Sequence, residues 1–282
     1  MVVQHNMQAA NTNRMLGQNV KAVAKSTEKL SSGYKVNRAA DDAAGLSISE
    51  KMRNQIRGLN QAVKNAEDGI ALIQTAEGNM NEIHSILQRM GELAIKARND
   101  INASEDRKTI DDEIQQLKQE ISSITKKAAF NGTKLLNGAM KGASAKVLQV
   151  GAMAGETMKI AISGTSLKKL NIGSVTVIKT TTGTARTAGA NASVAIRRIQ
   201  CAIKNVSAQR SLLGAIQNRL EYTINNLENY SENLTSAESS IRDTDMATEM
   251  VNYSKNNILQ QAAQSMLAQA NQSNQSVLSL LQ

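Results

Sequence analysis

The stretch GLNQAVKNAEDGIALIQTAEGNMNEIHSILQRMGELA at residues 58–94 decides the fold. Leu59, Val63, Ala66, Ile70, Ile73, Met80, Ile83, Leu87, Met90 and Ala94 follow steps of three and four, with one slip near Glu77. Such spacing lines one face of a helix with apolar side chains. With its flanking turns the pattern predicts one helix over residues 43–99, roughly 85 Å long at about 1.5 Å per residue. A helix of that length needs comparable helices beside it. Leu213, Ile216, Leu220, Thr223, Leu227, Tyr230, Leu234, Ala237 and Ile241 supply one, with Thr223 the only clearly polar member. Glu105–Ala128 supplies another through Ile110, Ile114, Leu117, Ile121 and Ile124. The predicted fold class is mainly α, an elongated antiparallel helical bundle or coiled coil.

Composition agrees. The 282 residues contain no proline and no tryptophan, one Phe and four Tyr, where average usage would give about fourteen prolines. Leu, Ile, Val, Met and Ala must therefore fill the core, which suits helix-on-helix seams. One cysteine excludes an intrachain disulfide and a thiolate metal cluster within the chain. Counts of 27 Asn and 21 Gln suit polar faces that meet other protein. The net charge of +9 is spread among acidic residues, with no Lys/Arg run beyond a pair and no aromatic stacking platform. Nucleic acid is therefore not expected as a partner. No apolar run approaches the roughly 18 residues of a membrane span, so no membrane partner is expected. MVVQHNMQAANTNR at the start lacks a basic region followed by an apolar one, so we expect either an internal protein or one exported without a cleaved secretory signal.

Between the helices the pattern changes. FNGTKLLNG at 130–138 carries two Asn-Gly turn signals, and residues 141–191 are rich in Gly, Thr, Ser and Ala. Lys146–Val150, Met158–Ile162 and Val175–Thr180 read as short strands, with Gly151, Gly155 and Gly164 in loops. A small β-hairpin region is thus expected at about 130–190.

The two ends form a third class. Residues 250–282 contain one charged side chain, Lys255, yet place Ile258, Leu259, Ala262, Ala263, Met266, Leu267, Ala270, Val277, Leu278 and Leu281 on a helical period. Val3, Met7, Ala10, Met15, Leu16, Val20, Val23 and Leu30 form a similar stripe at the other end. Alone, such segments bury too little apolar area to offset their ordering entropy. We expect paired terminal helices, 1–42 with 243–282, forming a coiled-coil domain that is disordered in the monomer and ordered in an assembly. Residues 43–242 would form the helical bundle domain.

Little in the chain suggests catalysis. His5 and His84 have no partner at a metal-ligand spacing, and neither a phosphate-binding glycine loop nor a GxSxG elbow occurs. Cys201 sits in AIRRIQCAIKNV, which reads as a helix, and is expected to be a small buried or half-buried residue. Asp41 and Asp42 precede a helix, where carboxylates cap free N–H groups, and Ser47 with Glu50 could form a capping box. No catalytic residue, metal site or cofactor is expected.

SSGYKVNRAADDAAGLSISEKMR at 31–53, continuing into 58–94, resembles the N-terminal signature of bacterial flagellin. SENLTSAESSIRDTDMATEMVNYSKNNILQQAAQSMLAQANQ at 231–272 resembles its C-terminal signature. The resemblance covers roughly residues 1–140 and 190–282. It implies a subunit of the flagellar filament whose paired ends form the innermost domain, exported through the flagellar type III apparatus, with itself, an export chaperone and the filament cap as partners. The large outer domains of longer flagellins would be missing. The implied assembly residues are Leu16, Val20, Asn37, Arg38, Asp41, Asp42, Leu259, Leu267 and Leu278. Hook-filament junction proteins share the terminal pattern but usually lack the full NRAADDAAGL run, here Asn37–Leu46; an intracellular coiled-coil adaptor or nucleic-acid-binding bundle is the reading outside the family.

The resemblance also implies a host partner, the vertebrate Toll-like receptor for flagellin. Its QRxRELA contact motif reads here Gln88, Arg89, Met90, Gly91, Glu92, Leu93 and Ala94, with Glu113 matching the carboxylate on the next helix. Arg89, Leu93 and Glu113, flanked by Gln88 and Glu92, are the implied receptor-binding residues. Gly91 stands where the family has a second Arg, which removes one cation.

Overall fold

The computed structural model describes residues 6–99, 101–140, 142–178 and 188–280, with the side chains at 143, 188, 189 and 274–280 outside the description. In chain order these form α1 (Met7–Ser32), α2 (Ala43–Arg98), α3 (Ser104–Lys127), β1 (Ala129–Phe130), β2 (Thr133–Lys134), β3 (Lys146–Gln149), β4 (Thr157–Ile160), α4 (Ala188–Arg242) and α5 (Met246–Leu280). The mainly α class with small β-hairpins is observed. Two compact units result, one of Met1–Ile56 with Glu232–Gln282 and the other of Arg57–Ser231. The division falls inside α2 and α4, whereas the sequence reading put it at 42/43 and 242/243. The difference has a physical source: fully buried rows begin in α2 at Leu59 and end in α4 at Leu227.

In the second unit, α2 buries two rows at seven-residue steps. Leu59, Ala66, Ile73, Met80, Leu87 and Ala94 form one; Ala62, Gly69, Ala76, Ile83, Met90 and Ala97 form the other. The expected slip near Glu77 is absent. Ala76 fills that place, and the adjacent Glu77 accepts from Arg210 Nη2 of α4 at 3.3 Å. On α4 the matching rows are Ala192, Ile199, Val206, Leu213, Leu220 and Leu227, and Ala195, Ala202, Gln209 and Ile216. All are buried except Gln209. The contacts of Glu77 with Arg210 and of Asn60 with Ser231 run in opposite sequence directions, so α2 and α4 are antiparallel. Small residues alternating with Leu, Ile and Met allow this knobs-into-holes seam without aromatic rings. Cys201 is exposed rather than buried because the seam uses Ile199 and Ala202 on either side of it.

α3 adds Ile110, Ile114 and Ile121 to the same core together with the buried polar residues Asp111, Lys118 and Thr125. Asp111 Oδ1 accepts the Val177 N–H at 2.8 Å, and Lys118 Nζ donates to the Val175 carbonyl at 3.2 Å and to Gln115 Oε1 at 2.9 Å. Gln115 Nε2 closes the network by donating to Asp111 Oδ2 at 3.3 Å. Burial pushes the Lys118 ammonium below its ordinary pKa, against the opposing pull of the Asp111 charge. This network corrects the strand expected at Val175–Thr180. Residues 175–178 are irregular because α3 side chains satisfy the backbone that a neighbouring strand would otherwise pair, and 179–180 lie outside the described residues.

The β region holds two antiparallel hairpins. Asn131 (φ 44°) and Gly132 (φ 73°) make the two-residue turn joining β1 to β2, as the first Asn-Gly signal predicts. β3 pairs with β4 from Lys146↔Ile160 to Gln149↔Thr157, slightly shorter than the strands read from sequence. Asn65 Nδ2 of α2 donates to the Gln149 carbonyl at 3.1 Å, and Leu148 packs over the missing side chain of Gly69. Farther along, a Cβ on Gly164 would lie 2.7 Å from both Cα and N of Gly138, so two backbones meet where only glycine fits.

The first unit is built differently. α1 packs antiparallel along α5, with Asn6 Nδ2 donating to the Ala270 carbonyl at 3.0 Å and Lys29 Nζ 3.7 Å from Glu249 Oε2. Among the described residues of this unit, Val36 is the only buried apolar side chain.

Gly164→Ala should destabilise the second unit by about 1–3 kcal/mol through overpacking. Gly78→Ala, on α2 with open space around it, should stabilise by up to about 1 kcal/mol. Urea unfolding of both variants checks this; equal shifts of the same sign would contradict the close Gly138–Gly164 contact.

Candidate functional site

The terminal helices present two kinds of surface. Residues facing their mutual seam recur in heptads: Ala9, Thr12, Leu16, Asn19, Val23, Ser26 and Leu30 on α1, and Glu249, Tyr253, Asn256, Gln260, Ala263, Leu267 and Ala270 on α5. Nine of these fourteen are Ala, Ser, Thr, Asn, Gln or Glu. Most are only half-buried, and just Ser26 and Glu249 are fully so. Other large apolar side chains point away from the seam. Met7, Met15 and Val20 are exposed on α1, as are Met250, Val251 (68%), Ile258 (66%), Leu259 and Met266 (62%) on α5. Exposed Met, Ile, Leu and Val recurring along both members of a helix pair mark a surface that meets other protein.

A tie joins the two connectors of this unit. α1 ends where the Gly33 N–H donates to the Lys29 carbonyl at 2.8 Å. Thr244 N–H then donates to the Gly33 carbonyl at 2.9 Å and Lys35 N–H to the Arg242 carbonyl at 2.7 Å. The Arg242 guanidinium stacks 4.6 Å from the Tyr34 ring centroid and reaches Glu50 at 3.1 Å. Asp42 Oδ1 caps α2 by accepting the Gly45 N–H at 2.9 Å. The capping box expected of Ser47 and Glu50 does not form, since Asp42 takes the cap and Glu50 pairs with Arg53 and Arg242. Asp41 bridges to Lys25 at 2.8 Å and accepts from Arg38 N–H at 3.2 Å. The Lys25 ammonium, with these N–H groups, holds the Asp41 carboxyl below its usual range. At the other connector Asp245 caps α5 through the Thr248 hydroxyl and the Ala247 and Thr248 N–H groups, which lowers its pKa in the same way.

In the second unit, Arg89 bridges α2 and α3. Its Nε and Nη2 donate to Glu113 Oε1 at 3.1 and 3.0 Å, and its Nη1 to Glu92 Oε2 at 3.2 Å. These residues line an open groove of about 490 Å³ with Lys96, Asp106 and Thr109, floored by Leu93 and Ile110.

Comparison with known proteins assigns the chain. Residues 3–141 match the bacterial flagellin N-terminal helical region and residues 196–281 the bacterial flagellin C-terminal helical region. Flagellin from Halalkalibacterium halodurans is 50% identical over 281 residues, covering all of both chains. The chain belongs to the bacterial flagellin family. Flagellin from Bacillus subtilis is 48% identical over 303 aligned residues, again over the whole of both chains. A structure described as a flagellar hook-associated protein from Vibrio parahaemolyticus covers 72% of this chain and 100% of its own, with a TM-score of 0.61. At 14% identity that likeness concerns the fold alone. As a flagellin, the chain is a structural protein, a subunit of the flagellar filament outside the cell.

The structure distributes the flagellin residues singled out from sequence as follows. Leu16 and Leu267 lie half-buried in the α1–α5 seam, Val20 and Leu259 are exposed beside it, and the side chain of Leu278 lies outside the described residues. Asn37, Arg38, Asp41 and Asp42 are occupied within the connector, Asn37 Nδ2 with Ser32 Oγ at 2.8 Å and Arg38 Nε with Glu28 at 2.9 Å. Arg89, Glu92 and Glu113 are together and exposed. Leu93 is 3% exposed and belongs to the core. Gln88 is exposed beside His84, Nε2 to Nε2 3.2 Å. Gly91 faces α4, where a Cβ would meet Ile199 Cγ2 at 3.7 Å, so a side chain there leaves on a different side from Arg89. Sequence reasoning missed the Arg242–Tyr34–Glu50 tie and the Asp111–Lys118 network; a charged residue at a seam position of α3 was the available signal for the latter.

Proposed function

We propose that this flagellin builds its filament by docking the outward apolar faces of α1 and α5 against neighbouring copies of the chain. The observation that carries the reading is the exposure of Met7, Met15, Val20, Val251, Ile258 and Met266 while the seam between the two helices surrounds Leu16, Leu30 and Leu267 with mostly small and polar side chains. Within one chain, α1 and α5 leave their strongest hydrophobic groups in water; in a helical array each copy covers those of its neighbours, which supplies the missing driving force. The ends 1–42 and 243–282 act as the inner coiled-coil domain, ordered by assembly, and the bundle of 43–242 forms the outer wall. A terminal unit with so little buried apolar area unfolds readily for passage through a type III export channel, guarded on the way by an export chaperone and positioned at the tip by the filament cap. A hook-filament junction protein or an intracellular adaptor would form discrete oligomers instead.

A second role is as ligand of the Toll-like receptor for flagellin. The Arg89–Glu113–Glu92 cluster supports it, because two adjacent helices hold matched charges on one exposed groove. The arginine fork is pre-oriented by its carboxylates and needs little ordering on binding.

Ile258→Asp should abolish filament growth, because an unpaired carboxylate in an apolar interface costs more than about 1.4 kcal/mol, a tenfold change in association. The monomer should keep its helical circular dichroism. Electron microscopy of seeded protein checks this: long uniform filaments from the variant would contradict the docking face, and discrete oligomers from the unsubstituted chain would favour a junction or adaptor role.

For the receptor, Arg89→Ala and Glu113→Ala should each weaken monomer binding, by about 2 kcal/mol if the contact is desolvated. Tyr222→Ala, exposed on α4, should not. Surface plasmon resonance with the receptor ectodomain measures this, and equal affinities across the three variants would remove the groove from the interface.

A further inference from the structure

A second concavity in the Arg57–Ser231 unit lies between the segment Ser163–Leu170 and one turn of α4. It is open to solvent on one side, has a volume of about 190 Å³, and Ser163, Thr165, Lys169, Asn205, Val206 and Gln209 are among the residues that line it. Thr165 is 1% exposed, and its Oγ1 is buried without a hydrogen-bond partner. A buried hydroxyl left unpaired is destabilising, so a hydroxyl in that state beside a cavity points to a missing partner. Gln209 is held in one orientation, with its Oε1 accepting the Ser163 N–H at 3.3 Å, which leaves its Nε2 as a donor. Lys169 brings a positive charge and Asn205 a further amide. Among the described residues no carboxylate lines the space. The polar lining therefore offers a cation, an amide N–H₂ and a hydroxyl, with no fixed negative charge to neutralise them.

We infer that this cavity is a binding site for a small oxyanion, held by Lys169, Thr165 and Gln209. A phosphate or carboxylate group fits the volume and takes charge-assisted hydrogen bonds from this donor set. A metal ion would meet a cation and no carboxylate, and an apolar ligand would leave the Thr165 hydroxyl unpaired. The site is separate from the Arg89–Glu113 groove and from the helix faces of the terminal unit, and it shares no residue with either.

The test is isothermal titration calorimetry and thermal melting of the full chain with inorganic phosphate in the low millimolar range, ionic strength held constant with chloride. A parallel titration with acetate distinguishes a tetrahedral from a planar oxyanion. The expected result is saturable binding of at least one of the two and a rise in Tm that tracks it. Lys169→Gln, at an exposed position, should weaken binding by tenfold or more. Thr165→Val should weaken it comparably, and without anion its Tm should be no lower than that of the unsubstituted chain, because a methyl replaces an unpaired hydroxyl. Absence of saturable binding by both anions, or affinities unchanged in Lys169→Gln, would overturn the proposal even if Thr165→Val failed to fold.

Discussion

The direction in which apolar side chains point on α1 and α5 governs the rest of this molecule. In α2, α3 and α4 of the second unit, Leu, Ile and Met at heptad spacing turn toward one another and become fully buried, so that unit holds its own core. In the terminal helices the described methionines and Ile258 turn outward, and the seam within the chain is left to Leu16, Val23, Leu30, Ala263 and Leu267 among Thr12, Asn19, Asn256 and Gln260. Helix pairing here is specified by spacing and by the Lys29–Glu249 and Asn6–Ala270 contacts, yet weakly driven. On the proposed reading, that division suits a polymer subunit: a core stable alone, and a terminal unit whose stability depends on its neighbours.

Between those regimes stand local devices that cost little apolar area. Asp42 and Asp245 cap α2 and α5, and Asp41 draws on Lys25 and the Arg38 N–H to fix the turn between α1 and α2. Arg242, stacked on Tyr34 and paired with Glu50, links the connector after α4 to the start of α2. The residues of the NRAADDAAGL run thus serve the connection itself. On the proposed reading, they act on assembly only through the orientation they give α1 within its unit.

The long helices were readable because proline is absent and because Leu, Ile and Met recur in threes and fours from Leu59 to Ala94 and from Leu213 to Leu227. The apparent slip near Glu77 arose from the small side chain of Ala76, which carries a weak hydrophobic signal but fills the seam completely. The Asn131-Gly132 turn was legible for a conformational reason, since both residues take positive φ. The irregular path of 175–178 was not, because its backbone partners Asp111 and Lys118 lie some sixty residues away. Pairing of the termini could be read from their matching stripes. Which members of each stripe face the partner helix could not, because a broad apolar stripe spans both the seam and the outer face; the same ambiguity hid the core position of Leu93 and the α4-facing position of Gly91.

Amide hydrogen exchange compared between monomer and filament reads that division most directly. Residues 7–32 and 246–270 should exchange at least about a hundredfold more slowly in the filament than in the monomer, while α3 and the parts of α2 and α4 within Arg57–Ser231 change little, since their core is complete in one chain. Equal protection of the terminal helices in monomer and filament would contradict the account.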